Sequence, residues 1–189
     1  MLFRSGADGL SLINTIKSII GVDIDRFVPQ PRVGNLSTNG GYCGAAVKPI
    51  ALHMVAALGR DPRVTVPISG IGGITTWRDA AEFIAMSAGT VQVCTAAMAY
   101  GFRIVEEMAS GLSRWMDEKG FTTIEDFRGR AVPNVTDWQF LNLNYVAKAH
   151  IDQELCIKCG RCYAACEDTS HQAIMKEKDG KRQIGRAHV

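Results

Sequence analysis

The sequence predicts an α/β fold built around a parallel sheet, and two strand–turn–helix steps carry this prediction. Residues 67–74 form a glycine-rich turn that follows a β-branched run at 64–66. A helix over 75–84 comes next, with a threonine near its cap. A second strand over 89–96 ends in small polar residues. Strands that alternate with helices in this way are typical of a parallel sheet covered by helices.

The turns after these two strands indicate a binding site for phosphate. Glycine lets the backbone approach an anion closely, and the first N–H groups of a helix have no partner inside the helix. Two successive strand ends of this kind are typical of the site that (β/α)8 barrels build after their seventh and eighth strands. The sequence therefore predicts the C-terminal half of a (β/α)8 (TIM) barrel.

A strand over 8–16 extends this prediction toward the N-terminus. It carries Asn14 and Thr15 at its end, where barrel enzymes place side chains that hold a substrate or cofactor. A local Asx turn is the simpler interpretation of such a pair, and both stay open here. The segment 22–40 contains prolines and glycine and is predicted to be a loop on the active-site face.

Two further helices follow from the spacing of apolar residues. One is predicted over 45–58, and a long one over 98–119 ends at Gly120. We expect a partial barrel over 1–120, a connector over 121–150 and a partial iron–sulfur module over 151–183.

Composition excludes several classes of protein. The net charge of +2 gives no electrostatic footprint for nucleic acid. No apolar run approaches the roughly 18 residues of a membrane helix, and the N-terminus has no signal-peptide core. Four of the six cysteines lie within eleven residues, which favours a metal cluster in a reducing compartment over disulfides. We therefore expect a cytoplasmic protein.

The cysteine run has the spacing C-x2-C-x2-C-x3-C, which is that of bacterial ferredoxins. Cys156, Cys159 and Cys162 are predicted to ligate one 4Fe-4S cluster from a tight loop, while Cys166 ligates a different one. Zinc is the competing interpretation, but zinc sites favour two separated pairs. Glu167 stands where the run usually has proline, and no second run follows up to residue 189.

Two other cysteines lie beside glycine turns. Isolated cysteines in such places are more often small buried hydrophobic residues than nucleophiles, so Cys43 and Cys94 are not predicted to be catalytic.

Several motifs in the same order resemble the dihydropyrimidine dehydrogenase family, most closely its bacterial NAD-dependent members. The barrel part is similar to dihydroorotate dehydrogenases, which carry FMN. The resemblance covers residues 6 to about 180, and these segments carry it: Ser11-Leu12-Ile13-Asn14-Thr15-Ile16, Gly40-Gly41-Tyr42-Cys43-Gly44-Ala45-Ala46-Val47-Lys48-Pro49-Ile50, Ile71-Gly72-Gly73-Ile74, Val91-Gln92-Val93-Cys94-Thr95 and the cysteine run.

The resemblance implies an oxidoreductase that interconverts uracil or thymine and their 5,6-dihydro forms. It implies that Asn14 and Thr15 face the pyrimidine. It also implies electron exchange with NAD through an NAD-binding flavoprotein subunit, and hence a hetero-oligomer. The family's catalytic acid is a cysteine on an earlier barrel loop, so the catalytic residue is unknown here. The residues implied to hold FMN are Gly44, Gly72, Gly73, Ile74, Cys94 and Thr95.

Two other functions stay open at this stage. One is a dihydroorotate dehydrogenase-like enzyme that acts on another pyrimidine, since barrels host many substrates. The other is an electron-transfer module whose barrel part is only a scaffold.

Both ends of the chain carry an expectation. The last six residues, 184–189, can be back-translated to part of a common sequencing adapter, and we expect them to be an artefact. The barrel strands expected before residue 8 and the expected second cysteine run are absent from the sequence. We therefore expect residues 1–189 alone to be inactive, with little FMN and no complete cluster.

Overall fold

A computed structural model of the chain describes residues 6–144, 149–169, 172–176 and 182–184. The chain divides into two compact units, Met1–Thr136 and Asp137–Val189. The domain boundaries predicted from the sequence stay predictions. The strands of the first unit are β1 Leu10–Leu12, β2 Ile16–Ser18, β3 Gly21–Asp23, β4 Val28–Gln30, β5 Arg32–Val33, β6 Leu36–Ser37, β7 Gly40–Tyr42, β8 Ile68–Ile71 and β9 Thr90–Gln92, and its helices are α1 Lys48–Gly59, α2 Trp77–Ala85, α3 Thr95–Tyr100 and α4 Arg103–Lys119.

A parallel three-stranded sheet in the order β1-β8-β9 lies at the centre of the first unit. Along β8, Ile68 and Gly70 are buried while Ser69 and Ile71 are only partly buried. This period of two turns one face of the strand toward the helices. The main core there includes the fully buried side chains of Val55 and Phe83. The predicted parallel α/β sheet is confirmed.

The position predicted for a strand at 64–66 is wrong: the strand β8 starts four residues later, at Ile68. Asp61 and Val64 form a turn instead, since the Val64 N–H donates to the Asp61 carbonyl at 2.9 Å. The ladder with β1 starts only at Pro67, whose carbonyl accepts from Leu10 N–H. A β-branched run predicts extended backbone, but the partner strands decide where a sheet begins.

The strand predicted over 8–16 is likewise shorter in the structure. β1 ends at Leu12, and Ile16 begins β2, which pairs with β7 in a separate antiparallel ribbon. The segment predicted as a loop over 22–40 contains the antiparallel pairs β3–β4 and β5–β6. These strands have only two or three residues each, too few to show an alternation of apolar and polar residues, so the hairpins were not predicted.

The helices follow the sequence prediction with two differences. Thr76 caps α2 as predicted, and α4 ends at Gly120 in the left-handed conformation. The helix predicted from residue 45 starts as a 3-10 turn, Ala45–Val47, and becomes α-helical at Lys48. The single helix predicted over 98–119 is wrong, because Gly101 at φ +80° separates α3 from α4.

An aromatic cluster packs against α2 and α4. The ring of Phe127 lies 5.1 Å from that of Trp115 and 5.6 Å from that of Phe121, measured between centroids. Phe127 is buried and belongs to a second core cluster with Ala81 and Ile84. Residues 121–136, the first part of the predicted connector, therefore pack against the parallel-sheet unit.

The second unit contains α5 Arg161–Glu167 and the antiparallel pair β10 Ile174–Lys176 and β11 Arg182–Ile184. Of the predicted artefact, only Ile184 is described, and 185–189 lie outside the described residues. Among the helices that the structure describes, none has the length and apolar character needed to cross a membrane.

Candidate functional site

A cavity of about 620 Å³ opens at the carboxyl end of the parallel sheet. Parallel-barrel enzymes place their sites at this end because the loops that follow the strands converge there. The cavity is lined by the turns after β1, β7, β8 and β9, and every barrel residue predicted to bind substrate or cofactor is among its lining residues: Asn14, Thr15, Gly44, Gly72, Gly73, Ile74, Cys94 and Thr95.

The turns that contain Gly44 and Gly73 are in close backbone contact. A Cβ atom on Gly73 would lie 2.7 Å from the Gly44 carbonyl oxygen and 2.9 Å from the Lys48 nitrogen. Gly73 also has φ +73°, which side chains rarely allow. Only glycine fits this position, and Gly73 lies on the cavity lining.

Backbone donors are available on two of the turns. Within the described part of the chain, the N–H groups of Gly73 and Ile74 donate to no protein acceptor. The N–H groups of Thr95 and Ala96 begin α3, where a helix offers no internal partner. These four N–H groups are the candidate ligands for a phosphate.

The two N–H groups that precede α2 are already bonded within the protein. The carboxylate oxygen Oδ2 of Asp79 accepts from the N–H groups of Thr75 at 2.9 Å and Thr76 at 2.8 Å. It also accepts from both threonine hydroxyls. The Asp79 carboxylate would repel a second anion at this helix terminus, so the candidate phosphate donors are those of the preceding Gly73 turn.

Asp79 is joined to α1 by an ion pair. Its Oδ1 lies 2.6 Å from Nζ of Lys48, which also lies 2.8 Å from Oε2 of Glu82. Burial opposes ionisation of Asp79, but the bonds from Lys48 and the threonines outweigh it and hold its pKa well below the usual range. The hydrogen bonds to Asp79 and Glu82 raise the pKa of Lys48. Sequence analysis missed this cluster, although Thr76 and Asp79 have the spacing of a capping box.

Asn14 lies on the cavity lining, in the segment between β1 and β2. Its Oδ1 accepts from the N–H of the next residue, Thr15, at 2.7 Å. An Asx turn would need the N–H two residues on, so this bond is not that turn. Its amide nitrogen donates to no acceptor among the described residues. Thr15 packs against Gly41, where a Cβ atom would lie 2.5 Å from the threonine Oγ1. The role of both residues in binding a pyrimidine stays a prediction.

A polar network connects the three central strands on the sheet face away from the helices. The Gln92 amide donates to the hydroxyls of Ser11 and Ser69, both at 2.8 Å. Thr90 donates to Ser69 at 2.9 Å. Ser11 and Gln92 line the cavity. These residues were not predicted from the sequence, because each strand served only to locate the turn that follows it.

Cys43 and Cys94 are exposed free thiols on the cavity lining, so the expectation that they are buried is wrong. Each lies in a turn that faces the opening rather than on a strand that faces the core. Neither thiol is assigned a chemical step.

Cys156 and Cys159 precede α5, whereas Cys162 and Cys166 lie on that helix, so the expectation that Cys162 lies on the loop is wrong. The four thiols of the cysteine run are free; Cys159 and Cys162 are exposed, whereas Cys156 and Cys166 are partly buried. Lys158 and Gly160 turn the chain with positive φ, and the Ala173 N–H donates to Sγ of Cys166 at 3.1 Å. Within the described ranges, no three side chains of cysteine, histidine, aspartate or glutamate meet as a metal site. The cluster ligands therefore stay a prediction.

Comparison with known proteins identifies the family. The dihydroorotate dehydrogenase family model matches residues 1–116. The chain belongs to this family. A model described as a 4Fe-4S dicluster domain matches residues 149–188.

Curated relatives agree with this assignment. The chain is 45% identical over 172 residues to the NAD-dependent dihydropyrimidine dehydrogenase subunit PreA of Escherichia coli K12, a match that covers 90% of the chain and 42% of that protein. It is 41% identical over 137 residues to the chloroplastic dihydropyrimidine dehydrogenase (NADP(+)) of Arabidopsis thaliana, which covers 70% of the chain and 32% of the relative. It is 42% identical over 129 residues to the catalytic subunit of dihydroorotate dehydrogenase B (NAD(+)) of Pyrococcus abyssi. This match covers 68% of the chain and 41% of the relative. The chain thus spans about two-fifths or less of the length of these relatives.

The two family models support flavin and iron–sulfur cofactors for a chain of this family. The cavity fits the phosphate of a flavin, because Gly73 and Ile74 lie on its lining and their N–H groups have no protein acceptor among the described residues. Its volume is within the range of about 300–1,000 Å³ for cofactor sites. The cysteine run fits an iron–sulfur cluster by its donor chemistry, since it supplies four free thiols.

Proposed function

We propose that this chain is the flavin-binding part of an FMN- and iron–sulfur-dependent oxidoreductase that interconverts uracil or thymine and their 5,6-dihydro forms. Electrons would be exchanged with NAD(H) through a separate NAD-binding flavoprotein subunit. The observation that carries this proposal is the joint presence of the glycine-turn cavity and the cysteine run in one chain. The match to E. coli PreA supports it. That match covers 172 residues, more than the first unit Met1–Thr136 contains, so it extends into the second unit, where the cysteine run lies.

The residues of the cavity bind and orient. Backbone N–H groups of Gly73, Ile74, Thr95 and Ala96 would hold the FMN phosphate, which fixes the depth of the cofactor in the cavity. FMN, when bound, supplies hydride transfer, and the protein supplies its position and surroundings. Met98 and the ring of Tyr100 lie on the cavity lining, where a bound cofactor would cover them and exclude water from their surface.

The Asn14 amide would recognise the pyrimidine. An amide offers one acceptor and two donor hydrogens, which match the alternating C=O and N–H groups of a pyrimidine edge. Its Oδ1 is already held by Thr15, so the amide has a fixed orientation. The unpaired Nδ2 would donate to a ring carbonyl oxygen.

The cysteine run would hold iron–sulfur clusters, which supply one-electron transfer. Cys156, Cys159 and Cys162 would share one cluster, and Cys166 would ligate another. The N–H bond from Ala173 would lower the electron density on Sγ of Cys166, and such bonds tune cluster potentials.

A second candidate is a dihydroorotate dehydrogenase-like enzyme with another pyrimidine as substrate. The identity of 42% over 129 residues to the Pyrococcus abyssi catalytic subunit favours it. That match covers 68% of the chain, against 90% for the match to E. coli PreA.

The test uses the complete gene product, expressed together with a bacterial NAD-binding flavoprotein subunit. FMN and iron are measured first, then the reduction of NAD by dihydrouracil, dihydrothymine and dihydroorotate. We expect bound FMN and iron, with turnover of the first two substrates. Turnover of dihydroorotate alone would establish the second candidate, and absence of flavin would refute both.

A further inference from the structure

Lys48 occupies a position between the two turns that build the phosphate site. It is the first residue of α1, directly after the 3-10 turn that Gly44 opens. Its backbone nitrogen and its Cβ would each lie 2.9 Å from a Cβ on Gly73. The main chain of Lys48 therefore forms the surface against which the Gly73 turn rests.

The side chain of Lys48 reaches past this contact to α2. Nζ lies 2.6 Å from Asp79 and 2.8 Å from Glu82, and the Lys48 side chain is only 26% exposed. Asp79 in turn holds the N–H groups of Thr75 and Thr76, the residues that directly follow the Gly73–Ile74 turn. Lys48 thus contacts the Gly73 turn through its main chain and the residues that follow the turn through Asp79.

The charges of this cluster also bear on an anion. Asp79 and Glu82 are two carboxylates close in sequence to the turn that would hold phosphate, and Lys48 is the cation that contacts both. Without its ammonium group, two neighbouring negative charges would be left uncompensated. A phosphate dianion in the cavity would then be repelled more strongly.

We propose that Lys48 is a positioning residue for the phosphate end of the flavin, through its bridge from α1 to Asp79 and Glu82 across the Gly73 turn. This inference rests on the proposed function, because it takes the cavity to hold FMN. It assigns Lys48 no contact with the cofactor. The bridge holds the donor turn in place and offsets the carboxylates beside it.

The phosphate itself gives a selective test. Riboflavin has the same ring and ribityl chain as FMN but lacks the phosphate. The complete gene product, freed of flavin, is titrated with both compounds as wild type, Lys48→Met and Lys48→Arg. We expect Lys48→Met to raise the dissociation constant of FMN about tenfold and that of riboflavin less than about twofold. Lys48→Arg keeps the charge and should restore most of the FMN affinity.

A matched control is the ion pair between Arg128 and Glu125 at 2.7 Å, which is also partly exposed. Arg128 lies beside Gly89, ahead of β9 and hence at the opposite end of the sheet. Arg128→Met should leave both dissociation constants unchanged. If Lys48→Met does not accumulate as folded protein, Lys48→Gln keeps a hydrogen-bond donor to Asp79 and should show the same selective loss.

The outcomes are distinguishable. Equal weakening of FMN and riboflavin would show a general structural role and overturn the inference, as would an unchanged FMN dissociation constant. Wild-type protein that binds FMN no better than riboflavin would refute the phosphate site of the proposed function, and the inference with it.

Discussion

The ring of Phe83 fills the space where Gly70 has no side chain. A Cβ on Gly70 would lie 2.5 Å from Cδ1 of this fully buried ring. Gly70 thus allows α2 to approach β8 closely, and α2 follows directly from the Gly73 turn. The tight packing that stabilises the sheet therefore also positions the site.

Gly70→Ala should reduce the free energy of unfolding, because the added methyl group must displace Phe83. Overpacking of this kind costs about 1–3 kcal/mol. Gly40→Ala is the matched control, since a Cβ there meets nothing within 4 Å and its φ is not positive. Urea unfolding of the complete protein measures both. Equal stability of the two variants would contradict the close contact.

Gly73→Ala should reduce the FMN content of the complete protein. The new Cβ would collide with the Gly44 carbonyl and move the donor turn. Gly120→Ala separates this collision from backbone strain, because Gly120 has a nearly identical φ of +70° but open space around it. Flavin absorbance of the purified variants is the measurement. Full flavin in Gly73→Ala would place the phosphate elsewhere.

Asn14→Ala should lower kcat/KM for the pyrimidine while FMN stays bound. Loss of a paired polar contact costs about 1–3 kcal/mol, or roughly one to two decades in kcat/KM. Asn142 is the control, since its Oδ1 makes a similar local bond to the Asn144 N–H outside the cavity. If Asn14→Ala keeps wild-type kinetics, Asn14 has only a local structural role, through its bond to the Thr15 N–H.

Asp79 should make stability fall in acid. Its pKa is lower in the folded protein than in the unfolded chain, so its contribution is complete above about pH 4 and is lost as the pH falls toward the folded pKa. Asp79→Asn should cost about 1–3 kcal/mol at neutral pH. It should also flatten the decrease in thermal midpoint between pH 7 and about pH 3.

The comparison for this measurement is Asp126→Asn. Asp126 accepts from the N–H groups of Thr122 and Thr123, and these bonds lower its pKa as well, but among the described residues it has no lysine partner, and it is less buried than Asp79. Its replacement should change the acid profile less. An equal change would indicate that capping alone, without Lys48, accounts for the effect.

The sequence predicts those parts of the fold that depend on neighbours along the chain. Thr76 begins α2 and Gly120 ends α4 because capping is a local interaction. The glycine turns were located for the same reason. The strand at 68–71 was misplaced because its start is set by pairing with β1, and the pair Lys48–Asp79 was missed because it joins two helices that are distant in sequence.

The order of the central sheet has a consequence for folding. β8, α2 and β9 are consecutive, so their contacts close only a short loop, whereas Leu10 of β1 must find Ile68 across the whole hairpin region. Short-range contacts form at a lower cost in chain entropy, so we expect the β8–α2–β9 segment to form early and β1 to join it late. The cavity is lined by the turns after both β1 and β8, so it would be complete only once β1 has joined the sheet. A ligand that binds across it would therefore slow the unfolding of the whole first unit rather than that of one loop.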